Sequence, residues 1–194
     1  MIVKPPLNWF GGKARLARKI IRHFPPHSVY CEPFGGSAAV LFAKKPAAVE
    51  IFNDIDHELV RFMEVVRNSK ECSRLESGLK LTPFSRAEFE LSKGPCDDNI
   101  EAARRFFIRH RQSFGGQGKD WCYSIGTSTR GTAAAISRWR SGINNLAAAC
   151  ERLKNVQIEC DGWERVIARF DGRDTLHFCD PPYVPETRIA GGYR

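Results

Sequence analysis

The chain has 194 residues, of which 42% are hydrophobic and 27% charged, so it contains enough apolar material for a folded core. Its formal net charge of +8 favours a polyanionic partner, and no apolar run is long enough to span a bilayer or to form the core of a signal peptide. The seven cysteines include no Cys-x-x-Cys pair, which excludes the usual zinc and disulfide patterns and predicts reduced thiols in a cytoplasmic protein.

The first third of the chain alternates between helical and strand patterns. The predicted elements are helices over 13–24, 37–43 and 56–67 and strands over 28–31 and 49–52. Strands that alternate with helices usually lie in a parallel sheet. We therefore expect an α/β protein.

Residues 68–154 differ in character. Residues 69–100 are mixed and polar, 102–110 and 133–153 read as helices, and 113–132 are rich in Gly, Ser and Thr. The segment from Glu101 to Lys154 contains ten Lys and Arg residues and only three acids. This difference accounts for nearly the whole net positive charge of the chain. We predict an inserted, mainly helical subdomain over 68–154 with a phosphate-binding surface. A merely solvated helix face is the alternative, and His110, between two arginines, is assigned to the same basic face.

The α/β pattern returns after the insertion, with a strand from Val156, a helix over 162–170 and a buried strand over 175–179. Asp180-Pro181-Pro182-Tyr183 follows directly. Proline cannot donate to a sheet ladder, so the acid is expected at the carboxyl edge of the sheet, where open α/β sheets bind ligands. An acid, a rigid carbonyl and an aromatic ring suit a planar group with an exocyclic amine, although Asp-Pro is also common in plain turns.

Two further motifs surround the same predicted edge. Glu32-Pro33-Phe34-Gly35-Gly36 follows the first strand, and Asp54 follows the second, in the place of an acid that holds ribose hydroxyls. Glu32 would repel a pyrophosphate, so a ribose-bearing cofactor with a positive charge fits better. Trp9-Phe10-Gly11-Gly12-Lys13 does not match a phosphate loop. Trp9 and Lys13 could supply a stacking ring and a cation for the carboxylate of a cofactor, or be ordinary core and surface residues.

The order WFGGK, EPFGGS, NDID, basic insertion, ECDGW and DPPY resembles the Dam-type (D12 class) DNA adenine-specific methyltransferases over essentially the whole chain, with an insertion closer to phage or prophage members. The resemblance implies a Rossmann-like class I S-adenosylmethionine-dependent methyltransferase sheet, formed by 1–67 and 155–194, with a helical DNA-recognition insertion over 68–154. It implies cofactor contacts from Trp9, Lys13, Glu32, Pro33, Phe34, Gly35, Gly36, Asp54, Asp161 and Asp180. For Asp161, a helix cap is the alternative role.

The resemblance also implies a mechanism in which the target adenine leaves the duplex. Asp180 and the carbonyl of Pro181 would accept the two hydrogens of its 6-amino group, Pro182 would keep the loop rigid, and Tyr183 would stack on the base. Positioning and electrostatics would supply most of the acceleration. His177 is expected to be packed rather than catalytic.

Double-stranded DNA is the implied partner in a bacterial or phage-infected cell, and Arg109, Arg111, Lys119 and Arg130 are the candidates for contacting it. Two alternatives stay open. The chain ends eleven residues after Tyr183, where the family continues, so it could be an inactive fragment that binds DNA or cofactor, or one whose sheet is completed by self-association or a partner chain. A cytosine 4-amino group or a protein amide is a less favoured substrate.

Overall fold

The computed structural model describes residues 3–128 and 131–182, and its strands form a parallel sheet. The strands are β1 Val29–Glu32, β2 Val49–Asn53, β3 Val156–Glu159 and β4 Thr175–His177. The helices are α1 Ala17–Ile21, α2 Ala39–Ala43, α3 His57–Arg67, α4 Ser69–Leu81, α5 Arg86–Leu91, α6 Asn99–Arg111, α7 Ala134–Asn144, α8 Leu146–Leu153 and α9 Trp163–Phe170. Single 3₁₀ turns lie at Lys13–Arg15 and Phe114–Gly116. The predicted α/β class with a parallel sheet is confirmed.

The strand order β3-β2-β1-β4 creates a switch point between β1 and β4. The chain leaves β1 towards β2 and β3 on one side, and later adds β4 on the other side of β1. In open parallel sheets such a reversal opens a crevice beyond the carboxyl ends of the strands. The loops that follow β1 and β4 therefore meet at the same place.

The main apolar core lies on one face of the sheet. Tyr30 and Phe52 point into it from the strands, and α3 packs there against α4, α6 and α8. The opposite face carries Cys31 and Ile51, which pack against Val166 of α9. Because helices of residues 68–154 share the main core with the sheet, the described part of the insertion is built onto the same hydrophobic cluster.

Side-chain caps explain where several helices begin. The Asp56 carboxylate accepts hydrogen bonds from the first turn of α3, and Asn68 does the same for α4. Ser85 and Glu88 start α5 with the Ser-x-x-Glu spacing typical of a helix N-terminus. Residues 69–100 were described only as mixed and polar, and these caps, which were present in the sequence, mark two helices there.

Two other predicted elements are shorter in the structure. The helix expected over 13–24 is replaced by the 3₁₀ turn and the five-residue α1, with the exposed Leu16 as the cap between them. The strand expected to be buried over 175–179 ends at His177 and is only partly buried. Within the described ranges, no helix has the length and apolarity needed to cross a membrane. Completion of the sheet by a partner chain stays a prediction.

Candidate active site

A cavity of about 350 Å³ lies at the carboxyl ends of β1, β2 and β4. Its walls come from the segment around Trp9, the loops after the strands, and the turn at Gly116. Its size is within the range of small-molecule sites. The predicted residues Trp9, Lys13, Glu32, Pro33, Phe34, Gly35, Gly36, Asp54, Asp161, Asp180 and Pro182 all line it. Tyr183 lies outside the described residues.

The loop after β1 needs its two glycines for different reasons. A Cβ on Gly35 would lie 2.1 Å from the Phe52 ring, so the loop could not rest on the core. Gly36 has a φ of +50° and a Cβ there would lie 2.9 Å from the Trp9 indole nitrogen. The backbone of the loop therefore packs closely against both the Phe52 ring and the Trp9 indole. Both glycines also line the cavity.

Asp54 holds this loop as well as lining the cavity. Its Oδ2 accepts a hydrogen bond from the Gly36 amide at 2.8 Å, and its Oδ1 accepts one from the Asp56 amide at 3.0 Å. Burial raises the pKa of the carboxyl. Each oxygen keeps further acceptor capacity, so hydrogen bonds to ribose hydroxyls stay a prediction.

Asn53 was missed by the sequence reasoning, although it stands beside Asp54 at the end of a strand. Its Nδ2 donates to the carbonyls of Pro33 and Asp161 at 2.9 and 3.0 Å. Its Oδ1 accepts from the Asp161 amide at 2.9 Å. A single buried side chain thus joins the loops after β1, β2 and β3.

The ammonium of Lys13 lies 2.5 Å from Asp180 Oδ2, with side-chain exposures of 17% and 26%. The lysine of the WFGGK segment and the acid of the DPPY motif therefore meet at the cavity wall, a pairing that neither motif indicates by itself. Lys13 also donates to the Gly11 carbonyl at 3.0 Å. Both contacts fix the carboxylate at the site where we expect the reacting amine.

The assignment of His110 to a basic face was wrong. The ring is half-buried, it stacks on Trp9 at a centroid distance of 4.8 Å, and its Nδ1 donates to the Gly116 carbonyl at 2.8 Å. Burial lowers the pKa of the imidazole, so the ring is neutral at physiological pH. His110 therefore packs against Trp9, and both rings line the cavity.

Glu32 is the most buried acid of the cavity. Its Oε1 accepts hydrogen bonds from the Tyr30 hydroxyl and the Leu41 amide, both at 2.7 Å. Burial raises the pKa of its carboxyl to about 7. A cation bound in the cavity would favour the charged form of this group.

Asp161 faces the cavity but is also engaged with α9. Its Oδ1 accepts from the Gly162 amide and from Arg165, and its Oδ2 accepts from Arg169. These hydrogen bonds, chiefly those from Arg165, hold the pKa of the carboxyl at about 2.

The neighbouring Trp163 was missed in the analysis of the sequence. The centroid of its ring lies 6.0 Å from that of Phe34, and it provides an apolar wall suitable for a planar group.

The cavity is acidic in a basic protein. The acidic side chains that line it are Glu32, Asp54, Asp56, Glu58, Asp161 and Asp180, whereas the basic ones are Lys13, Arg109 and Lys119. This two-to-one ratio favours a ligand with positive charge and disfavours a polyphosphate.

The four residues predicted to contact DNA differ in their structural surroundings. Arg109 donates to Glu58 and to the Ser92 carbonyl, each at 2.6 Å, and so ties α6 to its neighbours. Arg111 is half-buried with its Nε atom shielded from solvent, and Lys119 lines the cavity. Arg130 lies outside the described residues.

The strand order, the glycine loop at the switch point and the acidic cavity define a Rossmann-like α/β protein with a cation-favouring ligand site. The sequence model of the D12 class N6 adenine-specific DNA methyltransferases matches residues 9–193, so the chain belongs to this family.

Two relatives agree with this assignment. The Type II methyltransferase M.MjaIII of Methanocaldococcus jannaschii is 28% identical over 217 residues, covering 98% of this chain and 72% of the relative. The DNA adenine methylase of Haemophilus influenzae is 25% identical over 202 residues, covering 97% and 68%. The prediction of an adenine-specific DNA methyltransferase is confirmed, and the family implies a methyl donor and a DNA substrate.

Proposed function

We propose that the cavity holds S-adenosyl-L-methionine together with a flipped adenine, and that Asp180 is the residue that orients the reacting amine. The observation that carries this proposal is the contact between Lys13 and Asp180 at the edge of an acid-lined cavity. When bound, the cofactor supplies a methyl group activated by a positively charged sulfonium, which suits the excess of carboxylates.

The residues present fit this cofactor. Asp54 offers free acceptor positions for ribose hydroxyls, and Trp163 and Phe34 offer apolar surface for an adenine ring. Glu32 offers a carboxyl whose ionisation a nearby cation would promote. Trp9 also lines the cavity, and its ring stacks on His110.

Asp180 acts on the amine of the target base. A 6-amino nitrogen is a weak nucleophile because its lone pair is conjugated with the ring. Hydrogen bonds to Asp180 and to the Pro181 carbonyl would hold the nitrogen closer to tetrahedral and expose the lone pair. On taking the methyl group from the sulfonium, whose sulfur–methyl bond would break to leave a neutral thioether, the nitrogen would become acidic, and its excess proton could pass along the hydrogen bond to Asp180. Lys13 positions the carboxylate for both roles, while Tyr183 stays the predicted stacking partner.

We also propose that residues 68–154 carry DNA recognition, with Lys119 towards the bases; Arg130, outside the described residues, stays a predicted contact. The position of Lys119 on the cavity wall supports this role, since a base entering the cavity would pass it. Arg109 is better explained as a structural residue, because its guanidinium is held by Glu58 and Ser92.

The test is transfer of labelled methyl groups from S-adenosylmethionine to unmethylated DNA, with nucleoside analysis of the product. We expect N6-methyladenine from the wild type and no detectable transfer from Asp180→Ala, which should keep its affinity for DNA. Asp97→Ala, which removes an exposed acid remote from the cavity, is the matched control and should retain full activity. Methylcytosine as product, continued transfer by the Asp180 variant, or cofactor binding without turnover by the wild type would each contradict the proposal.

A further inference from the structure

A second concave surface adjoins the active-site cavity and has the opposite charge. It is a groove of about 680 Å³ between the N-terminal segment and α7. Its basic side chains are Lys4, Arg15, Arg18, Arg111 and Arg138, and no carboxylate is found among the described residues that line it. Ser137, Ser141 and Asn145 add neutral hydrogen-bonding groups along α7. Such a surface selects for an extended anion.

Arg111 is the innermost cation of this groove, and its charge is uncompensated. Its guanidinium lies against Gly142 and over the Phe107 ring, and it donates to the Arg138 carbonyl. Its Nε is buried and has no hydrogen-bond partner in the described parts of the chain. Within those ranges no acid lies at ion-pair distance from it.

The energetics of this arrangement point to an external anion. A guanidinium that is partly shielded from water and has no counter-ion is costly, and the neighbouring Arg138 adds repulsion. Burial and the neighbouring Arg138 lower the pKa of Arg111 to about 10, which still leaves it charged at neutral pH. A phosphate in the groove would offset the charge of Arg111 and of the exposed arginines above it.

The location of the groove identifies which anion it meets. The N-terminal segment forms both sites, because Lys13 lines the cavity and Ala14 and Arg15 line the groove. Ala39 borders both. A duplex that delivers one base to the cavity therefore brings its flanking phosphates beside the groove.

We propose that this groove binds the sugar-phosphate backbone of the DNA next to the flipped base, independently of sequence. Arg18 and Arg138 contact phosphates at the exposed rim of the groove. Arg111 lies at the floor and contributes its positive charge there. The proposal rests on the proposed function for its partner, but it concerns a separate surface. In this proposal Arg111 interacts with the DNA backbone and not with the edges of guanine bases.

The experiment measures affinity for a fluorescent duplex of mixed sequence between 50 and 200 mM salt, without cofactor. The test protein carries Arg18→Gln and Arg138→Gln, both at exposed positions, so that Arg111 and the fold are left intact. The matched control carries Arg74→Gln and Arg173→Gln, two exposed arginines on α4 and in the loop before β4. The two proteins therefore have the same net charge.

Each phosphate contact contributes about 0.9 to the slope of log affinity against log salt. We expect the test protein to lose about two from this slope and at least roughly tenfold in affinity at 0.1 M salt, equally for different sequences. The control should keep the wild-type slope.

Two results would overturn the proposal: an unchanged slope in the test protein, or an equal loss in test and control. Failure of the proposed function gives a different pattern. In that case the wild type transfers no methyl group, yet the difference in salt slope between the two double variants persists.

Discussion

The active-site cavity and the basic groove are formed in part by the same N-terminal segment, yet they carry opposite charge. The cavity has six acidic and three basic side chains, whereas the groove has five basic side chains and no described acid. A net charge of +8 therefore does not describe either site. The cavity is suited to a cationic cofactor and the groove to a polyanion, although residues only one or two positions apart in the chain line the two sites.

The two regions also differ in how they are held. The cavity consists of loops at the ends of strands, joined by the side chain of Asn53. The groove consists of a helix and the N-terminal segment, and its deepest residue, Arg111, packs against Gly142. Perturbing the loop junctions should affect cofactor binding, whereas removing charges from the groove should affect only the affinity for DNA.

The largest expected effect comes from Asn53→Ala. It removes three hydrogen bonds and leaves three backbone groups, in the loops after β1 and β3, without these partners, so we expect a loss of roughly 3–5 kcal/mol in unfolding free energy. Urea denaturation measures this loss, and cofactor titration should show weaker binding. The exposed Asn144→Ala on α7 is the control and should change stability by less than about 0.5 kcal/mol. A DNA salt slope that fell in the Asn53 variant would show that the two regions are not independent.

Glu32→Gln tests the charge of the cavity through pH. The pKa of Glu32 is about 7 in the folded protein, above its ordinary value near 4.5, so the folded state holds the proton while the unfolded state releases it. Wild-type stability should therefore fall, relative to the variant, as pH rises from about 4.5 to about 7, by up to about 3 kcal/mol. Below pH 4 the difference should be constant. Parallel pH profiles of the two proteins in urea denaturation would refute the assignment.

The smallest effect is expected from Lys13→Met, at the border of the two regions. The pair with Asp180 is partly exposed, so its loss should lower the rate of methyl transfer by about tenfold, or about 1.4 kcal/mol. The salt slope of DNA binding should stay unchanged, and Lys70→Met on α4 should affect neither property. A slope reduced by about one would instead place Lys13 among the phosphate contacts.

Several features could be predicted because they depend on local patterns. Apolar runs that alternate with helical segments predicted the parallel sheet, and the motifs after its strands predicted a site at one edge. The segments Glu32–Gly36 and Asp54 were expected to meet there, and they do. The capped helices of residues 69–100 were missed although their signals were present.

The order of motifs along the sequence by itself determined the family and the place of the site, since strand ends in a parallel sheet must lie on one edge. Only the tertiary structure decided that Lys13 pairs with Asp180, that His110 stacks on Trp9 with a lowered pKa, and that Arg111 lies without a counter-ion within the described residues at a basic groove. Charge and burial depend on which side chains the fold brings together from distant segments, and no local pattern records those neighbours.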